Sequence, residues 1–256
     1  MKALLLAAGY ATRLRPLTDE IPKPLLPVGG RPMVDWILDR IAALAEGIEG
    51  VHLVTNALYA PAFARWAGPR GVVVHDDGTA SNETRLGAIG DIRFAVERGG
   101  LGGAPLLVIA ADNLFEFSLV DYVAFWRRRP GGSALAVHRL ADPSLAPLYG
   151  VVELDAEDRV IALQEKPDAP RSDLVSTAAY IFSAAHLALI ERYLAAGNAP
   201  DPPGSFLTWL CEREAVYGFR FREEWLDIGE LSQLEAADRR YRERLGLPGR
   251  ARYAPE

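Results

Sequence analysis

An α/β three-layer sandwich around a mixed, mostly parallel sheet is what this 256-residue sequence predicts. Three observations carry the prediction. Short continuous apolar runs alternate with stretches whose apolar residues recur at helical spacing. The first run ends on a glycine, where the strands of such sheets hand over to ligand-binding loops. Past residue 130 the alternation thins and strand-like runs follow one another with few helices between them.

Lys2–Ala8 reads as a buried strand closed by Gly9. A proline-rich irregular stretch, Gly9 to Pro32, follows. Met33–Ile41 then carries apolar residues at helical spacing behind prolines and glycines. Val51–Thr55 and Gly71–His75 read as strands, with a helix over Ala57–Ala67 between them. Glu83–Val96 reads as a helix entered through the polar run Asp76–Asn82, and Pro105–Ala111 as a fourth strand. Ser118 fits the cap of a helix reaching Arg129. Ser133–Arg139 is the next strand, Gly150–Leu154 and Val160–Gln164 form a hairpin, and Val175–Phe182 is a further strand. Helices follow over Ala184–Ala196 and Ser205–Arg213, and a charged one over Glu230–Arg244 is expected to pack on the outside. No internal repeat, linker or low-complexity tract divides the chain. The expectation is one domain over 1–256, with a nucleotide half at 1–130 and a substrate half at 131–256.

Composition narrows the function. Half of the chain is apolar and its formal charge is −6, which fits a folded protein whose partner is neither nucleic acid nor an anionic membrane. The charge is uneven. Residues 1–31 hold five basic side chains (Lys2, Arg13, Arg15, Lys23, Arg31) against two acidic ones (Asp19, Glu20), so +3 there leaves −9 for the remainder. A cationic segment on an acidic body fits a small polyanion such as a nucleotide. The single cysteine, Cys211, excludes an internal disulfide and reads as a buried, inert thiol. Ala3–Ala8 is too short for a signal-peptide core, and no apolar stretch reaches membrane-spanning length, so a cytoplasmic protein is expected. The four histidines show no ligand spacing and receive no role.

Only three of the 28 basic residues are lysine: Lys2, Lys23 and Lys166. Where arginine is the default, a retained lysine points to a site that suits a compact charge on a flexible stem. Both interior lysines precede a proline, which restricts them to an extended backbone. Lys23 sits in Pro22-Lys23-Pro24, within a run of four prolines in twelve residues that stiffens the loop and forbids a helix. Directly after the first strand comes Leu6-Ala7-Ala8-Gly9-Tyr10-Ala11-Thr12-Arg13. A loop of small residues there lets backbone N–H groups approach phosphate oxygens, and Arg13 offers a bidentate fork.

Taken together, Ala7–Pro27 resembles the signature of the sugar-1-phosphate nucleotidylyltransferases, the nucleotide-sugar pyrophosphorylases. That pattern is a small-residue loop ending in Thr-Arg, then Pro-Leu-Thr, then Pro-Lys-Pro. The resemblance continues at Ala111-Asp112-Asn113, Tyr149-Gly150-Val151-Val152-Glu153, Glu165-Lys166-Pro167 and Trp225-Leu226-Asp227-Ile228-Gly229. It implies a Rossmann-like sheet of the nucleotide-diphospho-sugar transferase type. It implies a Mg²⁺ ion held by Asp112 and Asp227, a chemistry that suits this hard, oxygen-seeking cation. It places Ala7, Ala8, Gly9, Thr12, Arg13, Lys23 and Asn82 around the nucleotide, and Gly150, Glu165, Lys166 and Thr177 around the sugar phosphate. Gly150 is expected to let the backbone approach the sugar. Arg13, Lys23, Asp112, Lys166 and Asp227 are then the catalytic group. The implied reaction joins a nucleoside triphosphate to a sugar 1-phosphate and releases pyrophosphate. UTP or dTTP with a hexose 1-phosphate such as glucose 1-phosphate is the expected pair, and a homo-oligomer is compatible with it.

On residue type alone, Asp112 also fits a cap after its strand, Asp227 a helix-entry residue, and Glu165–Lys166 a solvated pair. Two other functions stay open: a non-catalytic paralogue that senses nucleotide sugar, and a transferase of the same fold with a non-sugar phosphate acceptor. The sequence also departs from the family pattern. Ala8, Ala11 and Ala111 stand where many members have glycine, so a differently shaped phosphate loop is expected. Asp76–Thr84 does not match the thymidylyl-type pattern. At this chain length, the appended β-helical domain of bifunctional relatives is not expected.

Overall fold

The computed structural model describes residues 1–44, 47–250 and 252–255. β1 (Lys2–Leu6) lies inside a nine-stranded sheet. Ala3 and Leu5 enter the core on one face and Leu4 on the other, all fully buried, which is why the run shows no polar alternation. β2 (Pro27–Val28) and β3 (Arg31–Pro32) form a short hairpin turning on Gly29 and Gly30. α1 (Met33–Ala42), β4 (Val51–Thr55), α2 (Ala60–Ala67), β5 (Val73–Asp76), α3 (Ala88–Gly99) and β6 (Leu106–Ala110) follow in alternation. The rest comprises β7 (Asn113–Phe115), α4 (Leu119–Arg127), β8 (Ser133–Arg139), β9 (Gly150–Leu154), β10 (Val160–Glu165), β11 (Leu174–Phe182), α5 (Ala184–Ala195), α6 (Pro203–Cys211), β12 (Val216–Phe221), β13 (Trp225–Asp227) and α7 (Leu231–Arg244).

The sheet runs β10-β9-β11-β6-β1-β4-β5, with β8 paired to β11 and β12 to β8. β6, β1, β4 and β5 are parallel, and β11 reverses the direction beside β6. Val34, Ile37, Phe63, Trp66 and Tyr122 bring α1, α2 and α4 onto one face. Ile89, Ile92, Leu187, Ile190 and Phe206 bring α3, α5 and α6 onto the other. The three layers expected from the alternation are therefore present.

The differences have local causes. α3 begins at Ala88 rather than Glu83, because Gly87 takes φ +76° and the apolar periodicity starts only at Ile89. β12 was not expected; its Val216 and Phe221 are buried beside β8, which it pairs in parallel. α7 is charged overall but docks Leu234, Ala237 and Tyr241 against Leu14, Leu26, Met33, Leu114 and Ile228. That cluster ties the segments following β1 and β6 to the end of the chain. The proline-rich loop contains no α-helix but does close two 3₁₀ turns, Thr12–Leu14 and Lys23–Leu25.

Neither interior lysine has the extended backbone expected before proline. Lys23 opens its 3₁₀ turn, where Pro24 is tolerated because a first-turn N–H has no intrahelical partner to lose. Lys166 has φ +45° and donates its N–H to the Tyr149 carbonyl at 3.0 Å, so pairing with the neighbouring strand overrides the local preference. Cys211 is half-buried, and burial pushes its thiol up to about 12, consistent with an inert group. The histidines scattered in sequence are not all scattered in space: His52 Nδ1 and His75 Nε2 lie 2.9 Å apart on stacked rings. Among the described residues, no helix is long and apolar enough to cross a membrane.

Candidate active site

The loop after β1 is held from beneath. Thr55 Oγ1 donates to the Ala7 carbonyl at 3.2 Å, Asn56 Nδ2 to the Ala8 carbonyl at 2.9 Å, and Thr18 Oγ1 to the Ala11 carbonyl at 2.9 Å. Ala11 itself adopts φ 44°, ψ 42°. The left-handed turn is thus kept although alanine stands there, and the differently shaped loop expected from Ala11 is not needed at that residue. The 3₁₀ turn over Thr12–Leu14 then presents Arg13 to solvent. A cleft of about 210 Å³ opens here, lined by Ala7, Gly9, Arg13, Lys23, Asp112 and Gly229 among others.

Lys23 is only 8% exposed, and its ammonium donates to Asp112 Oδ2 at 2.8 Å. Asn113 Nδ2 donates to Asp112 Oδ1 at 3.0 Å, and Trp225 Nε1 donates to Asn113 Oδ1 at 2.8 Å. Asp112 therefore has both oxygens engaged and its orientation set from β13. Burial of the carboxyl group works against ionisation, but the Lys23 charge and the hydrogen bonds from Lys23 and Asn113 outweigh it and hold the group below the usual carboxylate range.

Asp227 reaches the same place by a different route. β13 pairs antiparallel with β7, which sets Asp227 opposite Asn113, the residue after Asp112. Burial, followed by the negative charge of Asp112, raises the Asp227 carboxyl above its usual value, against the pull of Lys23, Arg13 and Lys166. Asp227 thus feels the charges of Asp112, Lys23, Arg13 and Lys166, groups drawn from widely separated positions in the chain.

Glu165 ends β10 and Lys166 follows it. Glu165 pairs with Gly150 across the hairpin. Burial raises the Glu165 carboxyl; Lys166 opposes the shift and Asp201 adds to it. The side chain pressing on Gly150 is Glu165 itself, whose Oε2 lies 3.2 Å from where a Cβ on residue 150 would stand. A second glycine, missed in the sequence, matters more. Glu165 Oε2 lies 1.7 Å from the place of a Cβ on Gly204, in the first turn of α6, so residue 204 must be glycine for this carboxylate to rest there.

Two expected contacts stand apart from this group. Thr177 is buried in β11, and its hydroxyl donates to the Ala136 carbonyl at 3.1 Å. Asn82 is exposed in the loop between β5 and α3, where its carbonyl accepts from Arg85. Asn113 and Trp225 were read only as part of a motif; their role in orienting Asp112 depends on a strand pairing over 112 residues that local pattern does not disclose.

The profile of the Nucleotidyl transferase family matches residues 2–244. The chain belongs to that family. Among curated members, the mannose-1-phosphate guanylyltransferase of Mycobacterium tuberculosis is 31% identical over 229 residues, covering 89% of this chain and 60% of that protein. The bifunctional protein GlmU of Methanocaldococcus jannaschii is 28% identical over 230 residues, covering 90% of this chain and 51% of that one. This nucleotidyl transferase family chain therefore spans between half and two thirds of the length of these relatives. A Bacillus anthracis protein assigned as a glucose-1-phosphate thymidylyltransferase, solved with sucrose, superposes with a TM-score of 0.82 at 20% identity, over 95% of this chain and 96% of the other. A UDP-glucose pyrophosphorylase solved with UDP-glucose gives 0.77 at 20% identity, over 95% and 98%. Those two likenesses establish the nucleotidyl transferase fold.

Proposed function

We propose that this chain transfers a nucleotidyl group from a nucleoside triphosphate to a sugar 1-phosphate and releases pyrophosphate. The observation that carries the reading is the cleft in which Lys23, ion-paired to Asp112 at 2.8 Å, and Arg13 line the small-residue loop after β1, with Asp227 brought next to Asp112 by the β7–β13 ladder. Such an arrangement suits a polyphosphate with a divalent cation and has no use in a packed core. The sugar phosphate oxygen is already anionic when it attacks the α-phosphorus, so the reaction needs positioning and charge neutralisation rather than a general base. Arg13 and Lys23 take the charge of the leaving pyrophosphate. Lys166 orients the sugar phosphate, and Glu165 accepts hydrogen bonds from sugar hydroxyls.

Mg²⁺ suits the donor chemistry, since carboxylate oxygens are hard and the negative charge of Asp112 felt at Asp227 is what a divalent cation would relieve once Asp112 exchanges its Lys23 contact for the ion. Asp112 and Asp227 would hold it, and it would supply further neutralisation at the phosphates. UTP and dTTP with glucose 1-phosphate are the first pairs to test. GTP with mannose 1-phosphate is the next, because a guanylyltransferase is among the relatives. A pyrophosphate-release assay crossing five nucleoside triphosphates with common hexose 1-phosphates tests the reading. Release with at least one sugar pair is expected. Silence across the panel, or turnover only with a non-sugar phosphate, overturns it.

A further inference from the structure

Asp91, which is buried, and Asp77, which is half-buried with its Oδ2 shielded from solvent, form an acid pair that the proposed chemistry leaves unused. Asp91 stands in the first turn of α3 and is 7% exposed. Its carboxyl group is within hydrogen-bonding reach of Asp77, in the loop that follows β5. Neither group can donate when ionised, and Asp77 Oδ2 and Asp91 Oδ1 are both buried without a donor. One proton placed between the two groups satisfies the contact; none leaves two buried like charges side by side.

The other oxygen of Asp77 is fully engaged. Thr79 donates to Asp77 Oδ1 twice, from its backbone N–H and from its hydroxyl, each at 2.7 Å. With its proton so committed, the Thr79 hydroxyl is left to accept from Tyr10 OH, 3.3 Å away. Tyr10 is buried in the middle of the loop that follows β1, between Gly9 and Ala11. The Thr79 carbonyl also accepts the Ala57 N–H at 2.9 Å. A continuous line of contacts thus runs from α3 through Asp77 and Thr79 into the phosphate loop.

We propose that Asp77 and Asp91 share one proton and act as positioning residues for nucleotide binding, the protonated pair holding Thr79 and, through it, Tyr10. Loss of that proton separates the two carboxylates and loosens the phosphate loop. The surroundings agree. Burial, then the charge of Asp77 and the hydrogen bond to it, then Asp201 from the segment before α6, push the Asp91 carboxyl up to about 8. Asp201 is itself paired with Arg85 at 3.3 Å, which tempers its effect. The catalytic consequence rests on the proposed nucleotidyl transfer; the shared proton does not.

The test therefore begins without turnover. Chemical unfolding of the full chain is followed from pH 5 to 9 for the parent and Asp91→Asn, whose amide stays neutral throughout. An acid protonated in the fold but ionised in the unfolded chain contributes stability that is lost as pH rises from its unfolded value near 4 to about 8. The parent is expected to lose stability relative to Asp91→Asn by up to about tenfold in the unfolding constant per pH unit over that range, with no further divergence above it. A difference independent of pH overturns the shared proton. Asp77→Asn, which gives Asp91 a permanent amide donor, is expected to flatten the same dependence and serves if Asp91→Asn does not fold. Hydrogen exchange over residues 7–12, corrected for intrinsic rates, should rise above pH 8 in the parent but not in either variant; equal exchange in all three removes the link to the phosphate loop. With an active substrate pair in hand, the parent-to-variant ratio of nucleotide KM should grow across pH 8 while the kcat ratio stays flat. A constant KM ratio overturns the positioning role. Silence of the parent with every substrate defeats only the transferase reading, and leaves the unfolding and exchange results to decide this one.

Discussion

Asp227 stands directly across the β7–β13 ladder from Asn113, the side chain that fixes Asp112. Through this pairing two acidic residues far apart in the chain come to repel each other. The same short ladder lets Trp225 orient Asn113, so the carboxylate pair is set by backbone register and a line of hydrogen bonds.

Replacing Asp112 by asparagine should lower the turnover rate by roughly 10²-fold or more, the size of a single preorganised electrostatic contribution. The fold should survive. The Asp112 side chain is 38% exposed but Lys23 is nearly buried, so the loss of stability is expected to lie at about 1–3 kcal/mol. Single-turnover kinetics and denaturant unfolding on the same preparation check both halves. Full activity in this variant would remove Asp112 from the proposed Mg²⁺-holding pair.

Gly204→Ala separates stability from function in a different way. The added methyl collides with the far end of Glu165, which can swing aside, rather than with backbone. Unfolding should therefore change by only about 1 kcal/mol although Gly204 is buried, since the clash is relieved by a flexible side chain. KM for the sugar phosphate should rise about tenfold, the loss of one hydrogen bond to a charged group. An unchanged KM in a correctly folded variant would show that Glu165 does not need its present position.

Ala11→Gly tests whether the phosphate loop carries strain. Holding a non-glycine residue in the left-handed region costs about 1–2 kcal/mol, and the greater freedom of unfolded glycine offsets about 0.5–1 kcal/mol of the relief. A net gain of about 0.5–1 kcal/mol in denaturant unfolding is expected. Destabilisation would mean that the turn is not under strain at this residue.

The paired histidines give an acid-side dependence. Burial, then His75 and Lys2, lower His52 to about 4, and burial with Arg98 lowers His75 as well. Both are neutral in the fold while the unfolded chain takes up protons below its ordinary value near 6.5. The stability they contribute is present above that pH and is lost as pH falls toward 4, because the unfolded state then binds more protons. In His52→Gln the fall in melting temperature between pH 6.5 and 4.5 should be shallower than in the parent. Identical slopes would exclude the pair as a source of acid sensitivity.

The order of most strands and helices, the three layers and the loop of small residues after β1 were legible in the sequence. They depend on properties that travel along the chain: apolar periodicity, the placement of glycine and proline, and a few residue types at fixed spacing. What the tertiary structure alone decided depends on contacts across the sheet. The register that sets Asp227 against Asn113, the glycine at 204 beneath Glu165, the stacking of His52 on His75 and the acid pair of Asp77 and Asp91 all join residues from different elements. The backbone angles of Lys23 and Lys166 belong here too, since the Leu26 N–H donating to the Lys23 carbonyl and the Lys166 N–H donating to the Tyr149 carbonyl outweigh the local effect of the following proline. Local preference is worth fractions of a kcal/mol per residue, whereas a buried hydrogen bond or a desolvated charge is worth more, so long-range pairing prevails wherever the two disagree.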